Sequence, residues 1–370
     1  MIRYHRNRSV FALVVLILAA GFMPAFADDD LAVGLTGPRF LNGFIPSGTD
    51  FTVDYTGLDL GAPAVTRLFL KLGGGYENKL LLREPDTGDP LSLAGGGVAI
   101  GYDSPNFQWE AAFIQGFSTR PDGDNAREVF LFYRGRYDIH DKDLDDSVFE
   151  DANGLFGTSF LVGASYDTVV RDRHRLKKGI HAEASAEWGP GFINPNSDFW
   201  RVSAKVIGFL PIFDLPTDGE NLFNMYLATL ASADLAGGDS VPIYVNQSFG
   251  GRDLRDSLGN CVRGYEKSSY DSLFKAVGNL ELRIVGPALG LESILPYLYG
   301  FFDAGYYDSF YGSTSFADEA GLIMSSGGGF AIGLFDFAQI GFVGGYKLVE
   351  DSLYGIHEPT FVSFKFMLHF

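Results

Sequence analysis

Residues 361–370 read Phe-Val-Ser-Phe-Lys-Phe-Met-Leu-His-Phe, and their two-residue period decides the fold class. Val362, Phe364, Phe366, Leu368 and Phe370 form one apolar face, while Phe361, Ser363, Lys365, Met367 and His369 form a mixed and more polar one. Successive side chains of a strand point to opposite faces, so this alternation reads as β-structure. The same split recurs at Ile180, Ala182, Ala184, Ala186 and Trp188 against His181, Glu183, Ser185 and Glu187. It returns at Trp200, Val202, Ala204 and Val206 against Arg201, Ser203 and Lys205, and at Leu280, Leu282 and Ile284 against Asn279, Glu281 and Arg283.

Composition agrees with a sheet protein. The 370 residues include 47 Gly, 34 Phe and 18 Tyr and are 46% apolar, a load that excludes a disordered chain. Forty-six acidic against 28 basic residues give a formal charge of −18, which argues against a nucleic-acid partner. One cysteine, Cys261, rules out an internal disulfide framework and a cysteine-rich metal centre. At the N-terminus Arg3, Arg6 and Arg8 precede a charge-free apolar stretch from Ser9 to Ala27 that ends in Ala25-Phe26-Ala27. Residues 1–27 therefore read as a secretory signal peptide, and 28–370 as a single domain. No later apolar run reaches the ~18 residues a spanning helix needs, so any membrane crossing falls to strands.

Alternation fits both a soluble sandwich and a transmembrane barrel, since only the medium facing the apolar side differs. The leader, strands near the ~9–11 residues that cross a bilayer, aromatics near strand ends and the terminal Phe370 favour the barrel. The expected fold is all-β, a transmembrane antiparallel β-barrel of about sixteen strands in the bacterial outer membrane. Four of the candidate strands lie at 64–74, 77–84, 93–102 and 106–117. Long connections at 139–156, 235–275, 307–324 and 350–360 fall on the outward side, and short turns such as Asp214–Glu220 on the other.

The 235–275 connection contains Phe249-Gly250-Gly251 and then Val262-Arg263-Gly264-Tyr265, and a later strand carries Phe301-Phe302-Asp303-Ala304-Gly305. Asn279-Leu280-Glu281-Leu282-Arg283 lies between them. In these motifs the chain resembles the bacterial surface antigen family, the barrel part of outer-membrane protein assembly factors and two-partner secretion transporters. The resemblance implies that the long extracellular loop folds into the lumen, where the arginine of V-R-G-F/Y meets the aspartate of F-x-D-x-G. Carried over, the lumen loop lock comprises Val262, Arg263, Gly264, Tyr265, Phe301, Asp303 and Gly305, with Glu281 and Arg283 as additional lumen partners. Arg255, in Leu254-Arg255-Asp256, competes with Arg263 for the lumen position. Family members that assemble or secrete proteins carry periplasmic POTRA domains ahead of the barrel, and the sequence leaves no room for one before its first strands.

The same resemblance makes Phe364, Phe366, Leu368 and Phe370 a C-terminal barrel-assembly signal, so the assembly machinery would handle this chain as a client. It implies a role in outer-membrane biogenesis through the lumen loop: protein insertion or translocation, or lipid handling. A passive or gated channel with the loop as plug, or a structural surface antigen, is the alternative. Implied partners are outer-membrane lipids and lipopolysaccharide, a protein substrate and a periplasmic protein.

The remaining features read as structural. Asp141, Asp143, Asp145 and Asp146 lack the Gly and Glu positions of a calcium loop and read as a solvated acidic segment. Arg171, Arg173, Arg175, Lys177 and Lys178 form a basic turn. Gly73–Gly75, Gly95–Gly97 and Gly327–Gly329 do not complete a nucleotide-binding pattern and read as bends in strands. None of His140, His174, His181, His357 and His369 stands in a catalytic context, so no enzyme, cofactor or metal is expected.

Overall fold

The computed structural model describes residues 30–41, 45–58, 60–61, 64–81, 100–121, 123–139, 155–171, 177–215, 223–253, 257–265, 270, 272–286, 294–308, 321–334, 338–349 and 359–368. The signal-peptide reading of 1–27, the acidic stretch at 141–146, Gly95–Gly97, Arg255 and Phe370 lie outside them. The strands are β1 (Leu31–Leu41), β2 (Ile45–Leu58), β3 (Thr66–Leu81), β4 (Ile100–Thr119), β5 (Asn125–Asp138), β6 (Leu155–Asp167), β7 (Val170–Arg171) and β8 (Lys177–Gly189). They continue as β9 (Asp198–Leu215), β10 (Phe223–Ser240), β11 (Phe274–Val285), β12 (Ile294–Asp308), β13 (Gly321–Leu334), β14 (Ala338–Lys347) and β15 (Thr360–Leu368). Two single-turn helices, α1 (Ile243–Asn246) and α2 (Leu258–Cys261), sit in the connection between β10 and β11.

Fourteen strands pair antiparallel with their neighbours in chain order, and the two-residue β7 attaches to β8 off that path. The expected sixteen become fourteen among the described residues because two pairs of candidates fuse. The 64–74 and 77–84 segments are one strand, β3, whose pairing with β2 and β4 runs unbroken through Gly73, Gly74 and Gly75. These glycines make room instead of ending the strand: a Cβ at Gly73 would overlap the Asp50 carboxylate, which Gln108 and Lys71 hold against it. The 93–102 and 106–117 segments likewise meet in β4. Pro105 is tolerated because it sits at the end of the β4–β5 ladder, which starts at Asn106, and serves that side through its carbonyl, which accepts from the Ile139 N–H at 2.8 Å.

Side-chain exposure inverts the order of a soluble protein. On β5, Val129, Leu131 and Tyr133 are exposed while Phe130, Phe132 and Arg134 are buried. Val162 is 56% and Val202 52% exposed, whereas Arg201 is 1% exposed and Lys275 fully buried. Trp188, Trp200, Val206, Leu280, Leu282, Phe302, Phe330, Phe342 and Phe364 continue the apolar outer face. In water this surface would be an aggregation hazard; against hydrocarbon it costs nothing, and a polar interior is the matching half of that design. None of the described helices is long and apolar enough to cross a membrane, a statement that says nothing about strands. Val202→Arg places a charge on this face, and is expected to lower the stability of the lipid-embedded protein by ~2–4 kcal/mol if Val202 lies near the bilayer midplane. Urea unfolding in vesicles checks it, and an unchanged midpoint would mean that the face does not meet lipid.

The sheet curls about the β10–β11 connection. The described part of this segment touches β5 through Arg134 and Glu128, β8 through Glu183 and β13 through Met324. It also meets β15, where the Phe361 ring lies against Gly264. The connection begins after Ser240 and ends at Leu273, shorter than the 235–275 expected, because β10 and β11 extend further. Phe249, Leu258, Val262, Tyr265 and Tyr270 form an apolar cluster with Val277, Tyr307 and Ile323 from the strands, so the connection adds to the apolar clusters that the strands build by themselves around Phe130 and Tyr226.

Candidate functional site: an ion-paired clasp on the inner face

The motif residues of β12 fall at i, i+2 and i+4, one face of a strand, and each has a separate task. Asp303, fully buried, accepts from Arg263 Nε at 2.6 Å, from Arg263 Nη2 at 2.7 Å and from the Arg263 backbone N–H at 3.1 Å. This is the bidentate fork geometry that matches a guanidinium to a carboxylate, reinforced by one amide. Two residues before it, the Phe301 ring lies beneath the same guanidinium, 3.7 Å from its Cζ, a cation–π arrangement. Two residues after it, Gly305 clears space, since a Cβ there would run into the Val262 and Leu258 side chains.

β11 completes the clasp. Its register sets Asn279 opposite Asp303 and Glu281 opposite Phe301. Asn279 Nδ2 donates to Asp303 Oδ1 at 2.8 Å and to the Cys261 carbonyl at 2.7 Å, tying the end of α2 to the strand. Glu281 lies between two arginines, accepting from Arg263 Nη1 and from Arg283 Nε, each at 2.6 Å. Burial alone would depress the Arg263 guanidinium, but Asp303 and Glu281 more than offset it and hold it above its ordinary value. The cation is therefore present at every ordinary pH.

Gly264 and Tyr265 fix the far side of the turn. Gly264 has a φ of 92°, a left-handed conformation, and a Cβ there would overlap the Phe361 ring of β15. Gly264→Ala is expected to cost at least ~1–2 kcal/mol from the backbone conformation alone, read as a lower unfolding midpoint with the same slope. The Tyr265 hydroxyl lies 2.8 Å from the carbonyl oxygens of both Met324 and Val349, its one proton serving one at a time, and accepts from the Met324 N–H at 3.2 Å. A cavity of about 260 Å³ opens beside the clasp, lined on its polar side by Asn260, Cys261, Arg263, Asn279, Glu281 and Arg283.

Arg263 thus meets Asp303, Phe301 and Glu281, and Val262 packs at Gly305 and in one cluster with Tyr265, while Gly264 lies against Phe361 and the Tyr265 hydroxyl sits at the Met324 and Val349 carbonyls. Of the C-terminal signal residues, Phe364 lies on the outer face beside Phe342, and Phe366 and Leu368 fall in β15 opposite Ile340 and Ala338. Sequence reasoning missed a second set of contacts at Phe249–Arg252. The Gly250 N–H donates to Asp234 at 2.9 Å and the Arg252 N–H to Glu183 at 2.7 Å. Arg134 donates to the Gly251 and Arg252 carbonyls at 3.1 Å. Glu187 and Arg201 sit directly opposite on β8 and β9 and are ion-paired; Asp234 and Lys275 sit opposite on β10 and β11 at 2.9 Å. The one signal available was the recurrence of charges of both signs on the polar sides of neighbouring strands. His181 lies 3.3 Å from Asp167 and 3.9 Å from Glu183. Among the described residues no group of three or more His, Cys, Asp or Glu could hold a metal ion.

Comparison with solved structures places this architecture. The chain is similar to BamA from Haemophilus ducreyi, in a crystal structure lacking POTRA domains 1–3, with a TM-score of 0.52, 13% identity and coverage of 91% of this chain. It spans 64% of that chain's length. At this identity the likeness is one of fold alone, an all-antiparallel sheet of the membrane-barrel kind. A bacterial polysaccharide outer membrane secretin aligns over 92% of this chain and 96% of its own at 10% identity, with a TM-score of 0.36, too slight to carry an argument. No protein-family model and no curated protein matches the sequence.

Proposed function

We propose that the chain is an integral outer-membrane β-barrel that acts in outer-membrane biogenesis or transport through the inward-folded β10–β11 loop. The carrying observation is the clasp itself: a loop arginine held on the inner face by Asp303, Glu281 and Phe301, 40 residues from Asp303 in the chain. On this reading β1 and β15 close the barrel, the apolar outer face meets lipid and lipopolysaccharide, and the loop governs what passes the lumen. The fold likeness to an outer-membrane barrel and the inverted burial support the location. The alternating apolar positions of β15 suit recognition by the barrel-assembly machinery, and a protein substrate with a periplasmic partner completes the role.

Depleting the protein in its native cell, with quantitation of all other outer-membrane and secreted proteins, tests this reading. Specific loss of a few barrels or exported proteins, reproduced by Arg263→Ala at normal expression, is the expected result. An unchanged proteome with raised single-channel conductance in Arg263→Ala would replace biogenesis by a loop-plugged channel.

A further inference from the structure

The cavity beside the clasp takes its shape from strand register. Phe209 of β9, Ala228 of β10 and Glu281 of β11 stand side by side on one rung of the inner face, and Ile207, Leu230 and Asn279 on the next. The hollow opens at Ala228, where a single methyl group stands between the Phe209 ring and the Glu281 carboxylate. The two walls have opposite chemistry. β9 and β10 supply Ile207, Phe209 and Leu230, while β11 and α2 supply Asn279, Glu281, Arg283 and Asn260. The Phe209 ring lies 6.4 Å from that of Tyr226, and Lys177 lies over it from β8, 5.2 Å from its centroid and outside the cavity lining.

The polar wall carries charges that cancel. Glu281 accepts from both Arg263 and Arg283, and Asp303 holds Arg263 in a fork, so two guanidiniums face two carboxylates. An anion entering the cavity would have to draw Arg283 away from Glu281, and a cation would have to draw Glu281 away from two arginines, each a costly exchange in an enclosed site. Hydrogen-bonding capacity remains in both directions. Asn279 spends its Nδ2 on Asp303 and the Cys261 carbonyl, which leaves its Oδ1 as an acceptor among the described residues. Arg283 keeps 31% of its side chain exposed and holds the Tyr226 hydroxyl only at 3.4 Å.

We propose that this cavity is a carbohydrate subsite that takes one neutral hexose ring, free or as a unit of a glycan. A pyranose matches both walls: its C–H face lies on Phe209, Ile207 and Leu230, and its edge hydroxyls, each a donor and an acceptor, give to Asn279 Oδ1 and Glu281 and take from Arg283. Being neutral, the hydroxyls join these groups without breaking the ion pairs. The end of α2 covers the Asn279 rung through the Cys261 carbonyl, and the Tyr226–Arg283 rung lies toward the β9–β10 turn, so the sugar enters from the end opposite the loop. This rests on the loop-in-barrel reading above, which puts that end in the periplasm, and adds to it a substrate class.

Saturation-transfer NMR on the full chain, in micelles of lauryldimethylamine oxide so that no detergent sugar competes, tests this with D-glucose, D-galactose, D-mannose and N-acetyl-D-glucosamine. At least one is expected to bind with a Kd of about 1–10 mM, with the strongest transfer to protons of one ring face. Ala228→Leu fills the hollow without touching a charge and is expected to weaken that binding about 10-fold or more. Phe209→Leu keeps the wall apolar but removes the ring; it is expected to weaken binding about 5-fold, and it carries the test if Ala228→Leu fails to fold. No transfer to any of these sugars would overturn the proposal, as would transfer that neither variant changes, which would put the binding elsewhere. Inorganic phosphate, followed by its phosphorus line width, is the second probe: phosphate bound and no hexose bound would make the cavity an anion site and overturn the proposal too. Hexose binding together with an unchanged proteome would keep this site and remove the biogenesis role, so the two readings fail separately.

Discussion

Asp303→Ala is expected to lower the stability of the folded barrel by about 3–5 kcal/mol, because it leaves a guanidinium without its principal partner in a largely enclosed site. Four donor groups converge on that carboxylate: Arg263 Nε, Arg263 Nη2, the Arg263 amide and Asn279 Nδ2. Asp303→Asn keeps an acceptor oxygen but loses the charge and turns an N–H group toward donors, so it should recover only part of the loss. Urea unfolding in lipid vesicles, followed by tryptophan fluorescence, measures both. A change below about 0.5 kcal/mol for the alanine variant would show that the clasp is not closed in the protein at rest.

Arg201→Ala is expected to be as costly, about 3–5 kcal/mol, for a different reason. It leaves the Glu187 carboxylate buried with Ser159 as its hydrogen-bond donor and Arg134 at 3.9 Å, and removes the Nη1 donor from the Val245 carbonyl and Ser248. The double variant Arg201→Met with Glu187→Leu removes both charges and keeps the volume filled, so most of the stability should return. If the double variant is as unstable as the single one, the value of Arg201 lies in holding the loop backbone and not in pairing Glu187.

Much of this was legible in the chain before any coordinates. The alternation at 180–188, 200–206 and 279–284 gave both the strands and their polar sides, because a period of two survives whichever medium lies outside. The clasp was legible through the family resemblance that two compact motifs carry, V-R-G-Y in a turn and F-x-D-x-G, whose three fixed residues share one face of a strand. The paired charges around Phe249–Arg252 were not legible. Glu187 and Arg201, or Asp234 and Lys275, are ordinary polar positions on separate strands until the register sets them opposite each other, and register depends on turn lengths that the sequence leaves open. The strand count failed at Gly73–Gly75 and at Pro105 for a related reason. Glycine and proline usually interrupt strands, but here one clears space for Asp50 and the other sits at the end of the β4–β5 ladder, where its carbonyl serves Ile139.

The reach of Arg134 to Gly251 carries a consequence for how the molecule comes to be. The two residues are 117 positions apart, while the hairpins that bring β8 to β9 or β13 to β14 close over short spans. Closing the longer loop costs more chain entropy, and contacts of such separation form slowly compared with local pairing. Seating of the connection thus belongs to the last stages of folding, after the charges of β5 and β8–β10 have been brought side by side. Until then those charges stand in water, and it is the arrival of Phe249–Arg252 that dries them.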